Sequence, residues 1–298
     1  MSKYSKKFPL YIVSHDDLPP LLKEIPDPPD KLFVKGKIPS DDNIKFLCVV
    51  GSRAYTSYGE EVCKKLLSGL RGYNICIVSG LALGIDTIAH QTAIDNGLIN
   101  IAIPGSGLDS SVLYPRSNFR LAEKILEAGG AIISEEKPNF KATPYSFPKR
   151  NRIMAGMSHA VLVIEAEKKS GTLITSKYAT DYNRDVLTVP GSIFSSRSDG
   201  PHMLIRLGAT PVCTSEDVLE ALGFDISKKE ENKQKNLSLY TEDEREVIEN
   251  LSAPMSRDAL IRILVEKMGR PISEINSLLV MMEIRELIVE KMGEIYIV

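Results

Sequence analysis

Short apolar runs rich in valine and isoleucine alternate with longer amphipathic stretches between residues 46 and 189, and this rhythm constrains the fold most. Buried parallel strands produce such apolar runs, and the helices that connect them produce the amphipathic stretches. The pattern predicts strands at Phe46–Val50, Ile75–Ser79, Ile99–Ile103, Ala131–Ser134, Ala160–Ile164 and Val186–Val189. It predicts helices between them, for example at Gly59–Leu70, Ile85–Asn96, Phe119–Glu127 and Leu173–Tyr182. We therefore expect an α/β fold with an extended Rossmann-like, mainly parallel sheet and helices on both of its faces.

The composition changes on either side of this region. Residues 1–40 carry prolines at positions 19, 20, 26, 28 and 29. Because proline disfavours regular helix, we expect a proline-rich extended arm packed on the body. Residues 41–224 are then the Rossmann-like domain. The stretch 225–236 holds four lysines and two glutamates with almost no apolar content, so it is predicted to be a linker.

Residues 237–298 form a second periodic unit. The pattern predicts helices at Thr241–Leu251, Arg257–Lys267 and Ser273–Glu283, followed by a short hairpin over Leu287–Val298 that turns at Gly293. Glu244 follows Thr241 by three residues, which is the spacing of a helix capping box. Three helices followed by a hairpin is the order of a winged-helix domain.

Several classes of protein are disfavoured by composition. The apolar runs are far shorter than the ~20 residues that span a bilayer, so no membrane helix is expected. The four cysteines are widely spaced and have no histidine at ligand spacing, which argues against a zinc site and a disulfide framework. We expect neither a metal nor a cofactor. The first residues lack the apolar segment of a secretory signal, so a cytoplasmic location is expected.

Small and polar residues cluster where the predicted strands end. In an open parallel sheet, ligands bind beyond the carboxyl ends of the strands, and glycine lets backbone amides approach an anion. One such glycine is more often a plain turn, but several loops on one rim, one carrying an arginine, predict a phosphate-binding surface. Their spacing matches neither a dinucleotide fingerprint nor a Walker loop, which argues against NAD and ATP. The loops are Gly51-Ser52-Arg53, Ser79-Gly80, Gly105-Ser106-Gly107 and Ser170-Gly171-Thr172.

The run from Phe147 to Ile153 concentrates positive charge in a chain whose net charge is only -2. Pro148 suits the first turn of a helix that would begin at the same rim. Cations that meet phosphates beside a ring that stacks on a base are typical of single-strand binding. The alternative is a solvated basic turn paired with Glu135 and Glu136. The predicted site in this run comprises Phe147, Lys149, Arg150, Asn151 and Arg152.

Taken together, the motifs resemble the DNA-processing protein A family, which is also called DprA or Smf. The resemblance spans about residues 46–222 and keeps the family order. The matching elements are Val50-Gly51-Ser52-Arg53, Ser79-Gly80-Leu81-Ala82, Gly84-Ile85-Asp86 with His90, Gly105-Ser106-Gly107-Leu108-Asp109, Tyr114-Pro115 with Asn118, the run Phe147 to Ile153, Glu165-Ala166, Ser170 to Thr175, and Val189-Pro190-Gly191-Ser192.

The resemblance implies a protein without catalytic residues that binds single-stranded DNA, commonly as a homodimer. It also implies that the protein helps to load the bacterial recombinase onto incoming strands during natural transformation. Arg53 and the group from Lys149 to Arg152 would contact the DNA, and the glycine and serine loops would donate backbone N–H groups to phosphates.

Two other functions remain open at this point. One is a related Rossmann enzyme that cleaves nucleoside monophosphates, but such enzymes carry a glutamate after a glycine-rich loop. Here Ser170-Gly171-Thr172 is followed by Leu173, Ile174, Thr175 and Ser176, with no acid among them. The other is a winged-helix transcription regulator whose Rossmann part senses a nucleotide. The acidic character of the last unit weighs against this function.

Charge predicts that residues 237–298 do not provide the main DNA contact. They contain seven lysines and arginines against twelve aspartates and glutamates, and Ser273–Glu283 has no lysine or arginine. DNA binding depends mainly on phosphate neutralisation, so we expect a protein-contact or regulatory module. Deleting 237–298 should leave most of the single-strand affinity intact in an anisotropy titration. Loss of most of that affinity would contradict this assignment.

Overall fold

The protein forms two compact units, Met1–Asp225 and Ile226–Val298. The computed structural model describes residues 7–41, 43–225, 241–251, 255–285, 287–291 and 293–297. The predicted linker at 225–236 lies outside the described residues, apart from Asp225.

A nine-stranded sheet forms the centre of the first unit, in the order β1-β2-β6-β5-β4-β3-β7-β8-β9. The strands from β3 to β9 pair in parallel, whereas β1 and β2 are antiparallel to their neighbours. The predicted mainly parallel α/β fold is therefore confirmed. The strands are β1 (Tyr11–Ser14), β2 (Lys31–Gly36), β3 (Lys45–Val50), β4 (Ile75–Ser79), β5 (Ile99–Ala102), β6 (Ala131–Ser134), β7 (Ala160–Val163), β8 (Asp185–Thr188) and β9 (Thr210–Pro211).

Helices cover both faces of this sheet. Phe46, Cys48 and Val50 of β3 pack into one apolar cluster, and Leu47 and Val49 pack into another, as the alternation of side chains along a strand requires. The last two helices of this unit, around Leu204 and Val218, were not predicted. The helices are α1 (Pro20–Lys23), α2 (Ser57–Ser68), α3 (Ile85–Asp95), α4 (Phe119–Glu127), α5 (Ser146–Gly156), α6 (Thr172–Asp181), α7 (Asp199–Arg206) and α8 (Ser215–Ala221).

The segment before residue 41 is more regular than the predicted extended arm. β2 pairs with β6, and β1 pairs with β2, so the segment adds two strands to the sheet. Leu32 and Val34 of β2 are completely buried. Pro20 occupies the first turn of α1, where a missing N–H is harmless, and β2 itself contains no proline. The prolines thus fall between the strands and do not prevent them from forming.

The strand order reverses beside β3. The chain passes from β3 through β4 and β5 to β6 on one side and then returns to β7 on the other side of β3. Where the order reverses in an open parallel sheet, the loops after the two central strands separate and leave a crevice. The loops that follow β3 and β7 therefore border the natural ligand position of this fold.

The second unit contains three helices, α9 (Glu242–Asn250), α10 (Arg257–Met268) and α11 (Ile272–Ile284). Its antiparallel sheet has the order β10-β12-β11, formed by β10 (Met255–Ser256), β11 (Ile288–Lys291) and β12 (Glu294–Ile297). The predicted capping box of Thr241 and Glu244 is confirmed, and Gly293 has a φ of 80° in the turn of the hairpin. The assignment to the winged-helix class stays a prediction.

None of the helices in the described parts of the chain has both the length and the apolar composition needed to cross a bilayer.

A matched pair of glycine substitutions tests how tightly β2 joins the sheet. Gly36 has a φ of +87°, and a Cβ there would lie 2.1 Å from the Gly130 carbonyl oxygen. Gly72 has a φ of +86°, with no atom within 4 Å of the same position. Gly72→Ala should cost about 1–2 kcal/mol of unfolding free energy, which is the cost of the backbone conformation alone. Gly36→Ala should cost roughly 2 kcal/mol more, because backbone atoms must move. Equal losses in urea unfolding would contradict this packing of β2.

Candidate nucleic-acid interface

A cavity of about 360 Å³ lies where the strand order reverses. The loop after β3, the start of α6 and one side of α5 form its walls. We call it the switch-point cavity. The predicted site residues that line it are Gly51, Ser52, Arg53, Phe147, Arg150, Asn151, Ser170, Gly171 and Thr172.

Arg53 is the exposed cation at the mouth of this cavity. Its guanidinium lies 5.5 Å from the centroid of the Phe147 ring, and that ring lies 5.8 Å from the ring of Tyr114. Within the described part of the chain, Arg53 makes no ion pair. Its charge is therefore available for a phosphate, with an aromatic surface beside it.

Backbone donors lie on both sides of the cavity. The N–H groups of Ser52, Arg53 and Gly171 have no hydrogen-bond partner among the described residues. Thr172 Oγ1 donates to the Gly51 carbonyl at 3.2 Å and ties the two loops together. The first turn of α6 carries a partial positive charge, as any helix N-terminus does. These groups can bind an anion between the two loops.

Arg150 is a buried cation that links two strand ends next to the cavity. It is only 9% exposed, and its Nη1 donates to the Gly80 carbonyl at 2.7 Å and to the Ile103 carbonyl, so it joins the ends of β4 and β5. Its Nε donates to Asn151 Oδ1 at 3.0 Å. Burial lowers the pKa of Arg150 to about 10, so the group stays charged at neutral pH. Its Nη1 and Nε donors are therefore engaged within the protein, and the guanidinium also lines the cavity.

Asp86 is the buried carboxylate beside Arg150. It accepts hydrogen bonds from the backbone N–H groups of Gly80 at 3.0 Å and Ala82 at 3.3 Å. Burial raises the pKa of Asp86, and the charge of Arg150 opposes this shift. The carboxylate thus orders the loop after β4.

The other two cations of the basic run are engaged by acidic side chains. Arg152 is 5% exposed and donates to Glu135 Oε1 at 2.6 Å and to the Asp27 carbonyl at 2.7 Å. Lys149 lies 3.1 Å from both Glu135 and Glu136. Pairing with these glutamates is what the alternative interpretation of the run expected. Arg152 therefore fixes α5 to the fold and is not placed as a direct phosphate contact.

The remaining predicted residues lie outside the switch-point cavity. Ser79 and Ser106 are completely buried, and their hydroxyls donate to the carbonyls of Val49 and Gly107. The Gly107 N–H donates to the Phe140 carbonyl. A Cβ at Gly105 would lie 2.6 Å from the Phe147 ring, and one at Gly80 would lie 2.6 Å from the Arg150 guanidinium. Gly105 and Gly80 leave room for Phe147 and Arg150, which line the cavity. The glycines and serines of these loops do not themselves form one continuous rim with the cavity.

Two polar residues that line the cavity, Thr175 and Arg197, are among those that the sequence analysis did not assign to the site. Thr175 is 1% exposed, and its hydroxyl has no hydrogen-bond partner among the described residues, which is unusual for a buried polar group. It follows Gly171 by one helical turn, and this spacing could have revealed it. Arg197 pairs with Glu167 and reaches the cavity from the loop after β8, which no local pattern indicates. The lining thus contains three arginines against the two carboxylates of Asp86 and Glu167.

No group of three or more His, Cys, Asp or Glu side chains in the described ranges is arranged to hold a metal ion. His90 is completely buried, with Nδ1 2.6 Å from Asn100 Oδ1. This placement agrees with a structural role for His90 between α3 and β5.

The family model for DNA recombination-mediator protein A matches residues 9–223. The chain belongs to this family. The resemblance to DprA and Smf proteins drawn from the motifs is therefore confirmed, and the match covers the whole nine-stranded sheet.

Curated relatives and solved structures agree with this assignment. Protein Smf of Escherichia coli is 36% identical over 89% of this chain and 71% of its own length. DNA processing protein DprA of Streptococcus pneumoniae is 43% identical over 75% of this chain and 78% of its own length. The X-ray structure of the pneumococcal DprA superposes with a TM-score of 0.66, at 41% identity over 75% of this chain and 77% of that chain. The Helicobacter pylori DNA processing protein A, whose structure concerns its single-stranded DNA binding mode, superposes with a TM-score of 0.63, at 28% identity over 72% of this chain and 96% of that chain.

The buried His90 predicts a specific pH dependence of stability. Burial lowers the pKa of His90 from 6.5 to about 4. As the pH falls below 6.5, His90 takes up a proton in the unfolded chain but stays neutral in the folded protein. The contribution of His90 to stability is therefore complete above pH 6.5 and is lost as the pH falls towards 4. The loss attributable to His90 is roughly 3 kcal/mol at most. In His90→Gln, urea unfolding between pH 7 and pH 4 should depend less steeply on pH than in the wild type. Identical pH profiles would contradict this origin.

Proposed function

We propose that the protein is a recombination mediator that binds single-stranded DNA in the switch-point cavity. One observation carries the proposal: the unpaired guanidinium of Arg53 lies over the Phe147 ring and beside three backbone N–H groups without partners. The guanidinium and the N–H groups would bind phosphate, and the ring would contact a base.

The form of the site favours an unpaired strand over duplex DNA. Duplex readers insert a helix or ribbon into a groove, whereas single-strand binders use a concave basic surface with exposed rings. Phe147 is half-buried beside the cavity, and Tyr145 at the start of the same helix is 87% exposed. A base that is not paired can reach these rings. The related H. pylori protein, with its single-stranded DNA binding mode, supports the same proposal.

The carboxylates at the cavity favour binding over catalysis. Asp86 accepts two backbone hydrogen bonds, and Glu167 pairs with Arg197. A general base must be free to reach the proton that it abstracts. Since both cavity carboxylates are occupied, we propose that the family member acts without catalysing a reaction on its ligand.

The bound strand would be the substrate for loading of the bacterial recombinase during natural transformation. Membership of the recombination-mediator family supports this role. The recombinase as partner and the homodimer stay predictions from the resemblance, and the cytoplasmic location stays a prediction from the sequence.

The salt dependence of binding tests the role of Arg53. For single strands, log affinity falls with log salt at a slope of about -0.7 per phosphate neutralised. Arg53→Ala should make the slope shallower by about 0.7, because the protein then neutralises one phosphate of the strand fewer. Lys149→Ala should change it less, since Glu135 and Glu136 already share that charge. Anisotropy titrations with oligothymidylate over a range of salt concentrations measure both slopes.

Arg71→Ala is the matched control for that experiment. Arg71 is exposed and precedes β4, so it lies at the amino ends of the parallel strands, whereas the cavity lies at their carboxyl ends. Its loss should leave the slope unchanged. An unchanged slope in Arg53→Ala, or equal changes in Arg53→Ala and Arg71→Ala, would rule out the proposed site.

A further inference from the structure

The loop Pro190–Ser198 exposes two large apolar side chains next to each other. Phe194 is 93% exposed and Ile193 is 80% exposed. Adjacent apolar side chains that are left almost entirely in water mark a contact surface more often than single ones do. Neither side chain lines the switch-point cavity.

Hydrogen bonds hold the start of this loop. The Tyr58 hydroxyl donates to the Pro190 carbonyl at 2.7 Å, and His202 Nε2 lies 3.0 Å from the Gly191 carbonyl oxygen. Close to the tip, the Phe194 N–H donates to Ser192 Oγ at 3.2 Å. The loop is anchored by these bonds, so the exposure of Phe194 is a property of a defined backbone.

The tip of the loop lies near the switch-point cavity. Arg197 lines the cavity, and three residue steps separate it from Phe194, a span of at most about 11 Å. Tyr58, whose hydroxyl donates to the Pro190 carbonyl of this loop, is 48% exposed and belongs to α2, which follows the Arg53 loop. A strand that leaves the cavity towards α2 would then pass Phe194 within a few nucleotides.

The loop that runs beside the tip carries positive charge. The Ala166 N–H donates to the Arg197 carbonyl at 2.9 Å, so the loop after β7 runs beside the Phe194 loop. That neighbouring loop carries Lys168 and Lys169, both exposed. Lys168 lies 3.9 Å from Asp199, and Lys169 makes no ion pair within the described residues. Exposed rings among cations are what a single strand requires, since its bases need a stacking partner and its phosphates need positive charge.

We propose that Phe194, together with Ile193, is a stacking platform for bases of the strand whose phosphate is bound in the switch-point cavity. This inference rests on the proposed function and deepens it. It assigns base contacts to the loop Pro190–Ser198, which lies after β8 and apart from the Phe147 run.

Oligothymidylate and an abasic strand of equal length distinguish the loss of base stacking from the loss of a phosphate contact. Phe194→Ala should bind oligothymidylate about fivefold more weakly than the wild type or worse, because a base loses its aromatic partner. The salt slope should not change, since no phosphate contact is lost. On an abasic strand of the same length, Phe194→Ala and the wild type should bind equally. The side chain is 93% exposed, so the substitution leaves the packing of the fold intact.

A fluorescence experiment reports the contact directly. The chain contains no tryptophan, so Phe194→Trp introduces a single reporter at the tip. Oligothymidylate should quench its emission. The matched control is Ile12→Trp, at a side chain that is 57% exposed on β1 at the far edge of the sheet. Its emission should not respond to the oligonucleotide.

The outcomes separate this inference from the function on which it depends. If the wild type does not bind single strands, the proposed function and the platform are both overturned. If the wild type binds and Phe194→Ala binds oligothymidylate equally well, the platform alone is overturned. A change in sedimentation of Phe194→Ala with unchanged strand affinity also overturns it, because the tip would then be a protein contact.

Discussion

The buried guanidinium of Arg150 is the interaction on which the site depends. It joins the carbonyls that follow β4 and β5 and stands beside the buried Asp86, which in turn orders the loop after β4. A buried charge that loses its compensating partner costs about 3–5 kcal/mol, so neither group can be exchanged alone without disturbing the other. Gly80 has to be glycine here because a Cβ would meet both side chains. The ends of β4 and β5 are therefore held by charge and backbone hydrogen bonds.

This arrangement divides one basic sequence run into different tasks. Arg150 and Arg152 are buried and hold α5 against the strand ends and the Asp27 segment. Lys149 is shared by two glutamates. Arg53, on another loop, is the exposed arginine of the cavity, and the Phe147 ring is the part of the run that reaches it. A cluster of like charges in a sequence can thus stabilise the fold as well as bind an anion. Whether each side chain is buried or exposed indicates which of these roles it has.

The strands and most helices of the first unit were predictable because their apolar periodicity is local. β4, β6 and α4 have the predicted bounds, and other elements differ by one or two residues. The two strands before residue 41 were missed because prolines beside them masked their short apolar runs. From the sequence, the site could be placed only at the carboxyl ends of the strands, without saying which of the strands border it. Which strand ends face it depends on strand order, and β5 lies two strands away from β3, so its loop supports the site without lining it.

The sequence by itself determined the α/β architecture, the family and the identity of Arg53 and Phe147 as candidate ligand contacts, since periodicity and local motifs are written in neighbouring residues. Only the tertiary structure decided which charges are available. Ion pairs between Arg152 and Glu135, or Arg197 and Glu167, join residues far apart in the chain, and their burial follows from packing. Exposure of Phe194 and the partnerless hydroxyl of Thr175 are likewise properties of the folded surface and core. Solvation of a side chain depends on what surrounds it in space, which the order of residues does not give directly.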